Sequence, residues 1–129
     1  PGAIAAGQAA LRRAKLTVDD IDFFEVHDCF TIAEVVATED LGLFKRGTGA
    51  REAVAGTTGL GGKRPVNPSG GLKAKGHPVG ATGVGQIVEV VEQLRGEAGG
   101  RQVAGAKRGL THNVGATGGT VVVNVLGRR

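Results

Sequence analysis

Apolar residues recur at helical spacing over the first positions of the chain. Ile4, Gly7, Leu11 and Ala14 form one stripe, with Gln8, Arg12 and Lys15 off it. This predicts a helix over 2–15, and Pro1 suits its first turn. Thr17-Val18-Asp19-Asp20 reads as a short turn with capping chemistry. Ile21, Phe23, Phe24 and Val26 predict a strand over 21–27 that ends in the polar cluster His27-Asp28-Cys29-Phe30. Thr31 and Glu34 have the spacing of a capping box, so a second helix is expected from there to Asp40, with Gly42 as its stop. Positions 42–64 are glycine-rich and aperiodic, which predicts a long irregular loop. Pro65-Val66-Asn67 predicts a short strand.

Asn67 to Gln86 is dense in glycine and carries a single histidine, His77, followed by Pro78. Proline fixes the backbone after His77 and biases His77 toward an extended conformation. The imidazole is thus presented from a stiff loop beside a helix. That helix has the clearest pattern in the chain: Val84, Ile87, Val88, Val91 and Leu94 define an apolar stripe, and Gly96 ends it. Gly99-Gly100 turns the chain. Strands are expected over 104–112 and 120–126, with 115–119 as the turn between them. Helices alternate with strands and a hairpin closes the sheet, which is an α/β arrangement with a mixed sheet. The order begins with a helix, so a first strand is expected upstream.

The length, 129 residues, is that of one domain. Without Trp, Tyr or Met, and with only four Phe, the core must be filled by Val, Ile, Leu and Ala. The 24 glycines show no period, which excludes collagen and repeat arrays. The net charge of +4 comes from scattered basic residues with almost no aromatics to stack bases, so a nucleic-acid surface is not expected. No apolar run reaches the ~18 residues of a membrane span, and no membrane partner is expected. A single cysteine excludes an internal disulfide and fits a reducing compartment such as the cytoplasm. There is no initiator Met and no signal peptide, so the chain is expected to begin inside a larger polypeptide.

Three polar clusters invite chemistry. Cys29 follows a strand and precedes a helix, where the positive N-terminal end favours thiolate; His27 stands two residues before it. A small buried cysteine that only packs is the alternative. His77 is the best-presented histidine, and a cysteine and a histidine from separate loops can form a pair for acyl transfer or proton shuttling. His112-Asn113 is expected at a strand end before a glycine-rich turn; it is either turn-stabilising or part of a site. Backbone N–H groups from Val114 to Gly119 could serve an oxyanion. The spacing of His27, Cys29, His77 and His112 matches no zinc pattern, and Gly80-Ala81-Thr82-Gly83-Val84-Gly85 is a weak dinucleotide signal.

Together these residues resemble the C-terminal half of a thiolase. Asn67-Pro68-Ser69-Gly70-Gly71, Gly76-His77-Pro78 and Gly80-Ala81-Thr82-Gly83 look like the family's Gly-His-Pro signature with its flanks. His27-Asp28-Cys29-Phe30 looks like the motif of sterol-carrier-protein-type thiolases. The run from Thr111 through His112, Asn113, Val114 and Gly115 to Gly119 looks like their replacement for a Cys-x-Gly motif. The resemblance covers nearly the whole chain. It implies a mixed sheet with helices on both faces, lacking its first strand here, and an acyltransferase (acetyl-CoA C-acyltransferase) acting on acyl-CoA and coenzyme A with no cofactor. His77 would activate the nucleophilic cysteine and help hold the thioester oxygen. Cys29 would be the acid/base, and His27 would complete an oxyanion site. In ordinary thiolases the acid/base cysteine would sit at the position of His112. Gly115 and its neighbours, with His112 and Asn113, would form a second oxyanion and substrate-binding site. The family's nucleophilic cysteine belongs to an N-terminal half, so the chain is expected to need that half as a partner, to expose a sheet edge and apolar helix faces without it, and to belong to a homo-oligomer. A related carbon–carbon lyase of the steroid side-chain aldolase type is the alternative, although such enzymes are expected to use tyrosine and this chain has none. A non-catalytic assembly domain is a third reading.

Overall fold

The computed structural model describes residues 2–115 and 117–128. Pro1, with the expectation for its helical turn, lies outside them, as do Arg129 and Ala116, on which part of the turn expected over 115–119 falls. In chain order the elements are α1 (Gly2–Ala14), β1 (Phe23–Val26), α2 (Thr31–Asp40), α3 (Gly49–Val54), α4 (Gly71–Lys75), α5 (Thr82–Arg95), β2 (Arg108–Gly115) and β3 (Thr120–Gly127). β1 pairs in parallel with β2, and β2 pairs antiparallel with β3, giving the mixed order β1-β2-β3. The expected strand at 65–67 is a single parallel bridge from Val66 to Phe24.

Phe23 and Phe24 explain how a core without Trp, Tyr or Met is filled. Side chains alternate along a strand, so the two rings enter opposite faces. Phe24 packs with Val26, Ala37, Leu41 and Leu110, and Leu11 of α1 closes over them. Phe23 packs with Val90 and Leu94 of α5, Val103 and Ala106. Helices therefore cover both faces, α1 and α2 on one and α5 on the other. Gly109 is opposite Phe23 in the β1–β2 register. A Cβ there would lie 2.5 Å from the Phe23 ring and 2.8 Å from Val90 Cγ1, so the ring needs a glycine beneath it.

Four local expectations change. The capping box at Thr31 and Glu34 does not form: Thr31 is already helical, Phe30 is the N-cap without a side-chain bond, and Glu34 Oε2 accepts from Asn67 Nδ2 at 2.9 Å instead. Side-chain capping occurs earlier, where Asp20 Oδ2 accepts from Thr17 N–H and Thr17 Oγ1, both at 2.7 Å. The loop over 42–64 contains a helix, α3, because Glu39 Oε1 accepts from Gly49 N–H at 2.8 Å and fixes its start. β2 starts at Arg108 rather than 104, where Asp22 Oδ2 takes the N–H groups of Lys107 and Arg108, each at 2.8 Å. It then runs on through Gly115, which places His112 inside the strand.

The largest departure is the face of α5. Val84 and Val88 of its apolar stripe are 63% and 50% exposed, whereas Gln86, Glu89, Val90 and Gln93 are buried. The polar face is tolerated because most of its groups are paired, Gln86 Oε1 being the exception among the described residues. Gln86 Nε2 donates to the His112 carbonyl, Gln93 Oε1 accepts from Val103 N–H, and Gln93 Nε2 donates to the Arg101 carbonyl. Glu89 Oε2 takes Arg101 Nη2 at 2.9 Å.

Gly109→Ala is expected to lower the stability of the protein by about 1–3 kcal/mol through overpacking against Phe23 and Val90. The urea midpoint measures this; an unchanged midpoint would show that the ring can move aside at no cost.

Candidate active site

The end of β1 and the glycine loop are joined by buried polar bonds. Asn67 takes positive φ, 51°, and its Oδ1 accepts from Val26 N–H at 2.8 Å. Glu25 is almost fully buried, and its carboxylate takes Ser69 N–H at 3.0 Å and Ser69 Oγ at 2.8 Å, with Lys75 Nζ at 3.7 Å. Burial pushes the Glu25 carboxyl above its ordinary range, against the pull of Ser69 and Lys75. Asp28 Oδ1 accepts from Leu72 N–H at 2.9 Å at the start of α4. Gly71 has φ 64°, and a Cβ there would meet Asp28 Oδ2 at 2.1 Å, so this approach requires glycine.

These bonds bring the loop histidine to the strand histidine. The rings of His27 and His77 meet edge to face, with centroids 4.9 Å apart and planes at 82°. His27 is buried, whereas His77 is exposed. Each ring is oriented by a neighbour. Asn113 Oδ1 lies 2.7 Å from His27 Nδ1, and an amide oxygen only accepts, so Nδ1 carries the hydrogen. Thr82 Oγ1 donates to the Pro78 carbonyl at 3.2 Å and stands 2.7 Å from His77 Nδ1. With its own hydrogen committed, Thr82 accepts from His77 Nδ1–H, which leaves His77 Nε2 as a bare base. In that tautomer His27 Nε2 is an acceptor; an Asn113 amide turned to donate to Nδ1 would instead make Nε2–H a donor.

The remaining site residues divide. His112 and Asn113 are adjacent in β2 and face opposite sides of the sheet. Asn113 meets His27, whereas His112 enters a cavity also lined by Cys29, His27, Val36, Asp40 and Val121. His112 is 2% exposed, and neither ring nitrogen has a hydrogen-bond partner among the described residues. Burial, and then the neighbouring His27, hold its pKa down to about 4. Cys29 is partly exposed at the turn before α2. Gly115 stands at the exposed end of β2, where its carbonyl accepts from Gly118 N–H at 2.9 Å. Among the described residues no three His, Cys or carboxylate side chains converge as a metal site requires. Sequence reasoning missed Thr82 and Asn67 as positioning groups; the signal for Thr82 was its place five residues after His77, at the first turn of α5.

Two outcomes follow. A depressed histidine pKa means that the folded state resists protonation, so stability is full above the ordinary pKa of 6.5 and falls as pH drops from there toward 4. The loss attributable to His112 is on the order of 3 kcal/mol, and His112→Gln is expected to flatten that part of the pH dependence of urea unfolding. Asn67→Ala leaves the buried Val26 N–H unpaired and places alanine at positive φ. Together these cost about 2–4 kcal/mol, and faster hydrogen exchange at the Val26 amide reports the lost bond.

The family profile described as "Thiolase C-terminal domain-like" matches residues 1–128. An acetyl-CoA acetyltransferase of Methanothermobacter thermautotrophicus is 58% identical over 123 residues, which cover 95% of this chain and 32% of that protein. Sterol carrier protein 2 of Homo sapiens is 51% identical over 120 residues, 93% of this chain and 22% of that protein. Among solved structures, the Ltp2-ChsH2(DUF35) aldolase superposes with a TM-score of 0.81 at 26% identity, covering 97% of this chain and 31% of that one. The chain thus spans a third or less of the length of these relatives. The profile match over almost every residue, on a mixed α/β sheet, places the chain in the thiolase C-terminal domain-like family.

Proposed function

We propose that this chain is the C-terminal catalytic part of a thiolase-type acyltransferase of the sterol-carrier-protein type, acting on acyl-CoA thioesters. The observation that carries the reading is the His27–His77 pair, in which Thr82 leaves His77 Nε2 free to accept a proton. In thiolysis of a 3-oxoacyl thioester, His77 takes the proton of a cysteine supplied by an N-terminal half. The resulting thiolate attacks the 3-oxo carbon. The bond between carbons 2 and 3 then breaks, the electron pair passes to carbon 2 as the enolate of the departing thioester, and Cys29 protonates it. Cys29, now a thiolate, takes the thiol proton of coenzyme A, whose sulfur attacks the acyl-cysteine; the carbon–sulfur bond to the cysteine breaks, acyl-CoA leaves, and the expelled cysteine thiolate recovers the proton held by His77. His27, in its donor state, and backbone N–H groups near Gly115, with His112 and Asn113 behind them, serve the developing oxyanions. No resident cofactor takes part.

The need for an N-terminal half is supported by the apolar surface around the site. Phe30, next to Cys29, is 69% exposed, Val79, next to Pro78, is 83% exposed, and Val84 on α5 is 63% exposed. Large apolar side chains left exposed beside a site are what a covering segment would bury. The relatives' greater length supports the same point, and a homo-oligomer in a cytoplasmic setting fits the reading. A carbon–carbon lyase is the second reading, favoured by the likeness to the aldolase structure; the absence of tyrosine from this chain weighs against it.

The test is coenzyme A-dependent cleavage of acetoacetyl-CoA by the full-length protein and by the 129-residue chain. Cleavage by the full-length protein alone is expected, with His77→Ala slowing it roughly 10²–10⁴-fold. Turnover by the short chain that disappears with Cys29→Ala would make Cys29 the nucleophile and overturn its role as acid/base.

A further inference from the structure

Glu25 and Lys75 have no part in the proton transfers above, yet they form an ion pair behind the glycine loop. Glu25 is 1% exposed, and Lys75 Nζ stands 3.7 Å from its Oε2 on a side chain that is 35% exposed. The one carboxylate takes both ends of a short segment. At the front, Ser69 N–H donates to Oε1 at 3.0 Å and Ser69 Oγ donates to Oε2 at 2.8 Å. At the back is Lys75, the last residue of α4. Only Gly76 separates Lys75 from His77, and its φ of 78° is a conformation that favours glycine. A glycine beside a released end would act as a hinge under the histidine. Each oxygen of Glu25 faces a donor, so a proton on either one displaces a bond. The contacts therefore require a carboxylate, buried where water does not solvate it.

Little else offsets that charge. Glu89 of α5 is a second buried carboxylate, and it opposes the ionisation of Glu25. Arg101 is already held by Glu89 at 2.9 Å and Glu92 at 3.0 Å. Thr111, opposite Glu25 on β2, is neutral. Among the described residues Lys75 is the one cation paired with Glu25. An exposed ion pair contributes little, but removing one partner of a buried charge leaves that charge uncompensated. We infer that Lys75 is a positioning residue for His77: its ammonium balances the buried charge of Glu25, and Glu25 so balanced fixes both ends of segment 69–75 behind the histidine. The tie stands on these contacts alone; its effect on catalysis rests on the acyl-transfer reading, in which His77 is the base.

The experiment uses the full-length protein with Lys75→Met, Lys75→Arg, Glu25→Gln and the double variant Glu25→Gln/Lys75→Met. Two quantities are read: the nuclear Overhauser contact between the His27 and His77 rings, and acetoacetyl-CoA cleavage as a function of pH. Lys75→Met is expected to weaken the ring contact and to lower kcat about 10–100-fold with KM little changed. Its activity should also fall away at a higher pH than that of wild type on acidification, because Glu25 without its cation takes up a proton more readily. Lys75→Arg should keep the contact and most of the rate. Once Glu25→Gln has removed the buried charge, adding Lys75→Met should change either readout by no more than about twofold. A wild-type ring contact and pH profile in Lys75→Met would overturn the proposal. So would a raised KM at unchanged kcat, which would put Lys75 on the substrate, and so would an equal loss with and without Glu25→Gln. If the wild-type rings meet but acetoacetyl-CoA is not cleaved, the acyl-transfer reading fails and the ring contact alone decides the role of Lys75.

Discussion

Three buried side chains hold the glycine loop against the end of β1, and the site depends on that clamp. Glu25 takes Ser69, Asp28 takes Leu72, and Asn67 takes Val26. Each bond runs between a side chain and a backbone N–H separated by 41 or 44 positions. A buried carboxylate is costly unless its lone pairs are filled, and here loop amides fill them. The loop in turn can come close enough only because Gly71 has no side chain. Without the clamp His77 would have no fixed relation to His27, since the stretch between them has little regular structure beyond α2, α3 and α4.

Much of the fold was legible from periodicity. α1, β1, α2, α5 and the hairpin fall close to where the apolar spacing puts them, because each has a local reason to form. What was not legible depends on distant partners. α3 exists through the carboxylate of Glu39, and the start of β2 is set by Asp22; neither is visible in a short window. Glu34 has capping spacing with Thr31, yet Asn67, 33 positions away, claims it. Local pattern states what a side chain can do, whereas tertiary competition decides what it does.

The site was legible in its residues and less so in its arrangement. His77 was named from its stiff loop and His27 from the polar cluster at the end of a strand, and their rings do meet. Treating His112-Asn113 as one polar pair at a strand end concealed the alternation that sends them to opposite faces. β2 extends past both, so Asn113 orients His27 from one side while His112 enters the cavity from the other. The apolar stripe of α5 likewise indicated a helix correctly and its buried face only in part: Leu94 reaches the core while Val84 and Val88 stay exposed, because a hydrophobic ridge is equally suited to a core or to a partner.

The polar inner face of α5 also bears on how stability varies with temperature. Exposing hydrocarbon on unfolding raises the heat capacity, and exposing amides and carboxylates lowers it. Gln86, Glu89 and Gln93 stand where most helices bury leucine or isoleucine, and Trp, Tyr and Met are absent. The heat-capacity increment should therefore fall below the usual value of about 12–15 cal/mol/K per residue. A smaller increment flattens the curve of free energy against temperature, so this domain should lose stability more gradually on both cooling and warming than a hydrocarbon-cored domain of equal maximum stability.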